Sequence, residues 1–381
     1  MKTLIIGGGI AELTLRALMR QRGEHPVIIE KQNPEREEGG YMLGLLPLGG
    51  RVLNELGLQS DYLNLSTAMD EYTVHFKKGN ASQNYPLDTI SNEYGPYQEI
   101  SRKALIQLLK KGLDEDTIRY NTTVQQLKQD TDKVVVIFDN GQTEEFDLVV
   151  AADGIHSQTR DLILTKDEYE YYDTGWGGWV SWMDTDDDSH HYHEFWGPGY
   201  FVGTYPVENR IGVFVGGPVN NIQKKGLEDL ADAIHAKSKN LPDTFEKALD
   251  ASLEDDSPFF WEFHDCRVSR WSTGRVVLLG DAAVGFLPTA GIGASMAMDS
   301  AAALDDELSR ADSDHLEYAL HLFENRQRAK VEKAQSESRK LGKWMFVESP
   351  LLSSIRDTFL PFYSLERMLD DFRTILENSN K

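Results

Sequence analysis

A short apolar run followed directly by glycines stands near the start of the sequence: Thr3-Leu4-Ile5-Ile6-Gly7-Gly8-Gly9-Ile10-Ala11-Glu12. The pattern predicts a strand over residues 2–6, a helix over Ile10–Gln21 and a second strand over Pro26–Glu30. A β-α-β unit of this kind, about 30 residues long, is the building block of an open and mostly parallel sheet. The sequence therefore predicts an α/β fold.

The glycines suit a turn that accepts a pyrophosphate. In a Gly-x-Gly-x-x-Gly turn the first glycine makes the bend, the second lets the backbone approach the phosphates, and the third lets the helix pack closely. Gly7 and Gly9 fit this pattern, whereas the third position is Glu12. Glu30 ends the second strand, where a carboxylate accepts hydrogen bonds from a ribose. The turn therefore predicts a dinucleotide site, with an ordinary glycine-rich turn as the alternative.

The composition excludes several classes of protein. The chain has 381 residues and a net charge of −23, which disfavours nucleic acid and anionic lipid as partners. Hydrophobic residues make up 40% of the chain, enough for a sizeable core, yet no apolar run approaches the ~18 residues of a membrane span. The single cysteine, Cys266, leaves no internal disulfide and no multi-cysteine metal site. We expect a cytoplasmic protein without a nucleic-acid partner, a membrane span or a metal.

Two further motifs follow buried strands. Asp153-Gly154 ends the first of these strands, with Ser157 and Arg160 one helical turn apart just after it. The second motif is Gly280-Asp281, which continues through a proline–glycine loop into a long helix beginning near Gly293. The aspartate can accept from a polyol hydroxyl, and the free N–H groups of the helix can face an electron-rich ring edge. Taken alone, each motif could also be a tight strand-to-helix turn.

The middle of the chain has a β pattern. Val134–Phe138 leads into Asn140-Gly141, a strong hairpin signal, and we expect the chain to return through Phe146–Ala151. Short aromatic segments broken by glycines follow between about residues 172 and 216. Because dinucleotide-type segments lie on both sides of this region, the pattern indicates a composite domain with an aromatic sheet inserted into it.

In this order, the three motifs resemble those of the class A flavoprotein monooxygenases, the family of para-hydroxybenzoate and salicylate hydroxylases. The resemblance extends over about residues 3–345 and includes Arg102, where members place an arginine near the cofactor. It implies one tightly held FAD and a transient NADPH or NADH. It also implies transfer of one oxygen atom from O2, through a C4a-(hydro)peroxyflavin, to an aromatic or polycyclic small molecule. A monomer or a homodimer is expected.

The resemblance implies a Rossmann-like FAD-binding domain of the para-hydroxybenzoate hydroxylase type, with an inserted, mainly antiparallel β-sheet substrate domain and C-terminal helices. We expect the composite FAD-binding domain in residues 1–70, 98–170 and 266–345. The substrate domain is expected in residues 71–97 and 171–265, and a C-terminal helical tail in residues 346–381.

The resemblance also places the site residues. The expected FAD contacts lie on the three motifs and beside them: Gly7, Gly9, Ile10, Ala11, Glu30, Lys31, Arg102, Val124, Asp153, Gly280, Asp281, Pro288, Gly291, Gly293 and Ala294. Oxygen transfer needs a pocket that keeps water away, and we expect its lining to be Trp182, Tyr200, Val202, Thr204, Phe286, Leu287 and Pro288. For the aromatic residues, ordinary sheet core is the alternative. No side chain stands out as a required general base, so no catalytic residue is assigned.

Glu12 departs from the family pattern. It puts bulk and a negative charge where a helix packs closely and a pyrophosphate binds. Like charges about 4 Å apart cost ~1 kcal/mol in water and ~4 kcal/mol at an effective dielectric of about 20. A cost of that size weakens binding about tenfold to a thousandfold. We therefore expect Glu12 to loosen FAD unless its side chain turns outward.

Two other functions stay open at this point. One is a flavin-dependent reductase of isoprenoid double bonds, which shares the amino-terminal turn and a Gly-Asp motif. The other is a non-catalytic, flavoprotein-like binding module, for which Glu12 is the sequence support. Dependence of product formation on O2 separates the first from a monooxygenase, and cofactor content separates the second.

Overall fold

Two large sheets form the fold, one mainly parallel and one mainly antiparallel. The computed structural model describes residues 1–33, 40–76, 82–111, 118–185, 190–238 and 241–360, together with Arg373. The strands of these residues are β1 (Thr3–Ile6), β2 (Val27–Ile29), β3 (Met42–Leu45), β4 (Thr67–Ala68), β5 (Glu71–Phe76), β6 (Ser82–Pro86), β7 (Gln98–Ser101), β8 (Ile118–Arg119), β9 (Val124–Gln129), β10 (Val134–Phe138), β11 (Thr143–Phe146), β12 (Leu148–Ala151), β13 (Tyr169–Asp184), β14 (His191–Gly197), β15 (Tyr200–Val207), β16 (Arg210–Pro218), β17 (Phe259–Val268), β18 (Ser272–Thr273) and β19 (Val276–Leu278).

The helices connect these strands or cover the sheets. In chain order they are α1 (Ile10–Gln21), α2 (Pro47–Glu55), α3 (Gln59–Asn64), α4 (Asp88–Tyr94), α5 (Arg102–Lys110), α6 (Gln158–Ile163), α7 (Val219–Lys237), α8 (Asp243–Glu254), α9 (Gly293–Ser309), α10 (Leu316–Met345) and α11 (Pro350–Phe359). None of the helices among the described residues has both the length and the apolar character that a membrane span requires.

The parallel sheet has the strand order β18-β19-β12-β1-β2-β8. Strand β1 pairs in parallel with both β2 and β12, and β12 pairs in parallel with β19. All four residues of β1 and of β12 are buried, as expected of strands covered on both faces. Together with the antiparallel sheet, this arrangement confirms the predicted α/β class with a second, β-rich layer.

The predicted hairpin is wrong in its second strand. The turn at Asn140-Gly141 returns through β11, which pairs with β10 in a small sheet of three strands. The apolar residues that follow, Leu148–Ala151, form β12 and instead pair with β1. A continuous apolar run suits the centre of a parallel sheet, whereas a hairpin with one face in water alternates polar and apolar residues.

The antiparallel sheet has the order β17-β13-β16-β15-β14-β5-β6. Among the described strands of this sheet, β5 and β14 form the one parallel pair. One face packs on α7 and α8 through a core that includes Val202, Ile234 and Phe245. The opposite face carries aromatic side chains, among them Phe201 and Phe263. Strands β13 to β17 therefore each contribute residues to two separate cores.

Helix α10 ties the two sheets together. The Arg339 guanidinium donates from Nε and Nη2 to the two carboxylate oxygens of Asp265 on β17, at 2.7 and 2.6 Å. Asp265 is fully buried, and burial raises its pKa while the adjacent Arg339 opposes that rise. After α10 the chain continues into α11, and residues 361–372 and 374–381 of the expected C-terminal tail lie outside the described residues.

Candidate cofactor and substrate site

The three sequence motifs leave the parallel sheet at one edge. Ile6 of β1 pairs with Ala151 of β12, and Ala151 pairs with Leu278 of β19. The glycine turn, the Asp-Gly turn and the Gly-Asp turn each begin one or two residues beyond these positions. Because carboxyl ends of parallel strands form the ligand-binding crevice of open α/β sheets, the structure brings together the residues predicted to hold a dinucleotide.

The glycine turn is closed over by Glu12. Gly7 has a φ of +114°, which favours glycine, and its N–H donates to the Ile29 carbonyl oxygen at 2.8 Å. A Cβ on Gly7 would overlap Glu12 Oε1, and a Cβ on Gly9 would lie 3.1 Å from Glu12 Oε2. Glu12 is 4% exposed. Its side chain therefore turns inward, onto the turn, and not outward into solvent.

Burial raises the pKa of Glu12 to about 8, and the nearby carboxylates of Glu30 and Asp153 push it in the same direction. The backbone N–H groups of Gly9 and of Glu12 itself oppose this rise. Glu12 is the third residue of α1, and Gly9 is its N-cap. A glutamate at this position that reaches back to the N-cap forms half of a capping box. The carboxylate thus faces the N–H groups to which an anion at the helix start would bind.

The Asp-Gly turn is built around Asp153. Its carboxylate accepts from Thr159 N and Thr159 Oγ1, each at 3.0 Å, and from the Ser157 hydroxyl. Ser157 in turn caps α6 by accepting from Arg160 N at 2.9 Å. The Arg160 guanidinium donates to the Ile155 carbonyl at 2.8 Å and to the Ala282 carbonyl at 3.2 Å. The spacing of Ser157 and Arg160 therefore serves to cap the helix and to lock the Asp-Gly turn onto the Gly-Asp turn.

The Gly-Asp turn packs against the start of α1. Gly280 has a φ of +59°, and a Cβ there would lie 3.1 Å from the Cβ of Ala11. The Asp281 carboxylate is accessible, but it lies in a recess whose walls limit its solvation, and this burial raises its pKa to about 6. Arg102, the first residue of α5, lies over the ring of Tyr41 at 6.0 Å, and both Arg102 and Asp281 act on the Tyr41 hydroxyl. A cation and a carboxylate thus face the same crevice.

The remaining predicted cofactor residues lie around this crevice. Val124 begins β9 and packs into the core that contains Ile29. Lys31 follows Glu30 and is exposed. Beyond the Gly-Asp turn, a short helical turn over Pro288–Ala290 ends at Gly291 with a φ of +58°. Gly293 and Ala294 then open helix α9.

A cavity of about 250 Å³ lies between this last loop and the antiparallel sheet. Its walls are mostly aromatic and aliphatic, with residues of the Pro288–Ile292 loop on one side and Phe201, Phe214 and Phe263 of the sheet on another. Tyr97 reaches the loop, because a Cβ on Gly291 would lie 3.6 Å from the Tyr97 hydroxyl and one on Gly44 would lie 2.7 Å from it. The enclosure can hold a flat, apolar molecule against the loop.

Two buried carboxylates also line the cavity. Glu194 accepts from Tyr72 Oη at 2.7 Å, from Tyr205 Oη at 2.6 Å and from Trp196 Nε1 at 2.7 Å. Glu99 accepts from the Tyr192 hydroxyl. Burial raises the pKa of Glu194 and raises that of Glu99 to about 8. The sequence prediction missed both residues, although a glutamate inside an aromatic strand such as β14 was a usable signal.

Most of the residues predicted to form the substrate pocket do not line this cavity. On β15 the three predicted residues Tyr200, Val202 and Thr204 alternate with the residues that line the cavity, Phe201 and Tyr205. Tyr200 and Val202 belong to the core under α7 and α8. Because side chains alternate across a strand, an error of one residue moves a whole set to the other face. Burial and aromatic character alone do not distinguish the two faces.

Of the other predicted pocket residues, most also lie outside the cavity lining. Trp182 donates from Nε1 to the Gly40 carbonyl at 3.2 Å and is covered by Arg210, 4.9 Å from its ring. Phe286 packs against the main core, and Leu287 is buried beside Gly342. Of the seven predicted pocket residues, all of which lie in the described part of the chain, Pro288 alone lines the cavity.

Comparison with known proteins settles the family. The FAD binding domain family matches residues 1–337, which is most of the chain. The chain belongs to the class A FAD-dependent monooxygenases. A flavin-dependent monooxygenase from an unidentified prokaryote is 27% identical to this monooxygenase over 328 residues, which cover 83% of this chain and 82% of the relative.

Solved structures share the fold of this monooxygenase. HpxO of Klebsiella pneumoniae, in complex with FAD and uric acid, superposes with a TM-score of 0.87 at 22% identity, over 99% of this chain and 97% of that one. The oxygenase of 2-methyl-3-hydroxypyridine-5-carboxylic acid superposes with a TM-score of 0.75 at 23% identity, over 88% of this chain and 89% of that one.

FAD is the cofactor of this family, and most of the crevice in this monooxygenase fits it. Gly280 lets the turn pack closely on Ala11 at the start of α1, and Asp281 offers an accessible carboxylate for a polyol hydroxyl. Arg102 adds a cation beside them. The exception is the glycine turn, where the Glu12 carboxylate fills the space over Gly7. FAD therefore fits this chain provided that the Glu12 side chain moves off the turn.

Proposed function

We propose that the monooxygenase uses NADPH or NADH and inserts one oxygen atom from O2 into an aromatic or polycyclic small molecule. The observation that carries this proposal is the cavity of about 250 Å³ with aromatic walls, which meets the Pro288–Ile292 loop. The solved relatives give independent support, because HpxO was solved with uric acid and the second relative is named for a hydroxypyridine acid. Both are flat ring compounds of a size that such a cavity accepts.

We infer that FAD lies along the edge of the parallel sheet. Its pyrophosphate would lie at the start of α1, near Gly9 and Arg102, and its adenosine beside Glu30 and Val124, where β2 and β9 meet. The ribityl chain would lie by Asp281, and the ring system against the Pro288–Ile292 loop. The other predicted contacts, Lys31, Asp153, Gly293 and Ala294, border the same crevice.

When bound, FAD supplies the reduced flavin that activates O2. The residues of the chain position the reactants and exclude water from them. Pro288 presents an apolar surface at the loop, and Phe201, Phe214 and Phe263 close the opposite wall. Exclusion of water at this point protects the reactive oxygen from loss as hydrogen peroxide. No described side chain is assigned as a general base.

The proposed binding of FAD and the proposed binding of substrate are assigned to different parts of the chain. We propose that residues 1–70, 98–170 and 266–345 hold FAD, and that residues 71–97 and 171–265 form most of the substrate site. The cavity lies where these parts meet, with the loop from the first and the aromatic sheet from the second.

The test begins with the visible absorption spectrum of the purified protein, before and after addition of FAD and desalting. Oxidation of NADPH and NADH is then followed over a panel of phenols, quinolones and polyketides, with ¹⁸O2 as the oxygen source. One labelled oxygen atom per product supports the proposal. Reduction of a substrate double bond without O2 would identify a reductase instead. Failure of the protein to bind added FAD would overturn the proposal.

A further inference from the structure

Glu99 has an unused hydrogen-bond acceptor in the cavity. The residue is 2% exposed and lies on the cavity wall. Its Oε2 accepts from the Tyr192 hydroxyl, whereas no group in the described part of the chain donates to Oε1. Glu99 Oε1 is not among the fully buried side-chain atoms that lack a partner, so as part of the cavity wall it is open to a donor from a ligand or from water.

The second carboxylate of the cavity behaves differently. Three donors, Tyr72, Tyr205 and Trp196, already hold Glu194. Its hydrogen bonds link β5, β14 and β15, so its role is structural. Glu99 is therefore the carboxylate of the cavity wall that is open to a ligand.

Aromatic rings surround this position. Tyr192 lies at the centre of a cluster in which its ring centroid is 5.5 Å from that of Tyr205, 6.0 Å from that of Tyr97 and 6.5 Å from that of Tyr72. Aromatic rings together with a carboxylate are the groups that bind ammonium cations in proteins. An anionic substrate would find no matching charge at this end of the cavity.

The charges of the cavity wall also favour a cationic ligand over an anionic one. Among the described residues that line the cavity, Lys340 is the one with a positive charge. Its side chain is 50% exposed, and Nζ lies 3.0 Å from Glu337 Oε2. It is therefore already paired, close to solvent. The buried end of the cavity carries acidic groups alone.

We propose that the substrate carries a compact cationic group, such as a protonated amine, which binds between Glu99 and the tyrosine cluster while the apolar ring system lies against the Pro288–Ile292 loop. This inference rests on the proposed function for the role of the cavity as the substrate site. Burial raises the pKa of Glu99 to about 8, and an ammonium group bound beside it lowers that pKa again, so that the carboxyl ionises as the ligand binds.

The test compares three probes that share one ring system and carry a cationic, a neutral or an anionic substituent: 2-naphthylmethylamine, 2-naphthylmethanol and 2-naphthoate. Each is titrated into the FAD-loaded protein without reductant, and binding is followed by the flavin difference spectrum and by quenching of tryptophan fluorescence. We expect the amine to bind at least about tenfold more tightly than the alcohol, and the carboxylate to bind most weakly.

Glu99→Gln keeps the size of the side chain and removes its charge. We expect it to weaken binding of the amine by about tenfold or more and to change binding of the alcohol by less than about threefold. Glu228→Gln, an exposed position on α7, serves as the matched control and leaves all three affinities unchanged. Thermal unfolding of each variant verifies that it is folded.

Equal affinity of the wild type for the amine and the carboxylate overturns the inference, whether or not Glu99→Gln folds. So does an unchanged amine affinity in a folded Glu99→Gln protein. The two proposals fail separately. Amine binding without incorporation of ¹⁸O overturns the proposed function alone, whereas oxidation of rings without preference for a cation overturns the substrate inference alone.

Discussion

The Glu12 side chain of α1 folds back over Gly7, so that any side chain on Gly7 would overlap the Glu12 carboxylate. Glu12 stands where the family pattern has its third glycine, and Gly7 stands at the first. The carboxylate faces the N–H groups at the helix start, which is the place where a dinucleotide pyrophosphate binds. The Glu12 carboxyl thus occupies the place where the cofactor pyrophosphate would bind, and it is an anion above about pH 8.

Removal of this anion is expected to tighten FAD binding. Glu12→Gly opens the turn and, above about pH 8, removes a negative charge, so that at about pH 9 a repulsion of ~1–4 kcal/mol corresponds to about tenfold to a thousandfold in affinity. The dissociation constant is measured by the quenching of FAD fluorescence on binding. Glu317→Gly, the same change in the exposed first turn of α10, is the control for the effect of glycine on a helix. Unchanged FAD affinity in Glu12→Gly would show that the side chain moves aside without cost.

FAD affinity is also expected to depend on pH. Burial raises the pKa of Glu12 to about 8, with Glu30 and Asp153 facing it. The carboxyl is therefore neutral below about pH 8 and charged above it, so repulsion of the pyrophosphate grows as the pH rises. We expect FAD to bind more weakly, by about tenfold, at about pH 9.5 than at about pH 6.5. Glu12→Gln should remove most of this dependence. Parallel profiles for the wild type and the variant would contradict the assignment to Glu12.

The two faces of β15 are expected to respond differently to mutation. Phe201 lines the cavity, whereas its neighbour Val202 is buried under α7 and α8. Phe201→Leu should weaken binding of 2-naphthylmethanol about fivefold. Val202→Ala should lower the free energy of unfolding by about 2 kcal/mol and leave that affinity unchanged. Urea unfolding measures the free energy of unfolding, and flavin difference spectra measure the affinity. A loss of affinity in Val202→Ala without a loss in Phe201→Leu would contradict the placement of Phe201 on the cavity wall.

The buried ion pair between α10 and β17 is expected to contribute strongly to stability. Asp265 is fully buried and accepts two hydrogen bonds from Arg339. Asp265→Ala removes the buried partner of Arg339 and leaves the guanidinium with the exposed Glu170, 3.3 Å away, so we expect a loss of about 2–3 kcal/mol, below the ~3–5 kcal/mol of a fully buried pair. Asp250→Ala, an exposed aspartate on α8, should change the free energy of unfolding by less than about 0.5 kcal/mol. Similar urea midpoints for the two variants would contradict this prediction.

Local patterns predicted the parallel sheet and its turns well. The β-α-β unit, the Gly-Asp turn and the start of α9 are visible in the sequence because they depend on short-range requirements. A glycine is needed where φ is positive, as at Gly280, and an apolar run is needed where a strand is covered on both faces. The antiparallel sheet was predicted as an aromatic sheet, but the residues on it that line the cavity were not predicted.

Tertiary structure decided what the local pattern left open. Both faces of β15 are buried, so no polar alternation in the sequence marks which face meets the cavity, and the packing of α7 and α8 on one side makes that choice. Glu99 and Tyr192 meet although 93 residues separate them. The inward turn of Glu12 likewise depends on the walls around it. Sequence determines the elements because their hydrogen bonds and dihedral angles are local, whereas a site made of side chains from distant strands exists only once those strands have packed.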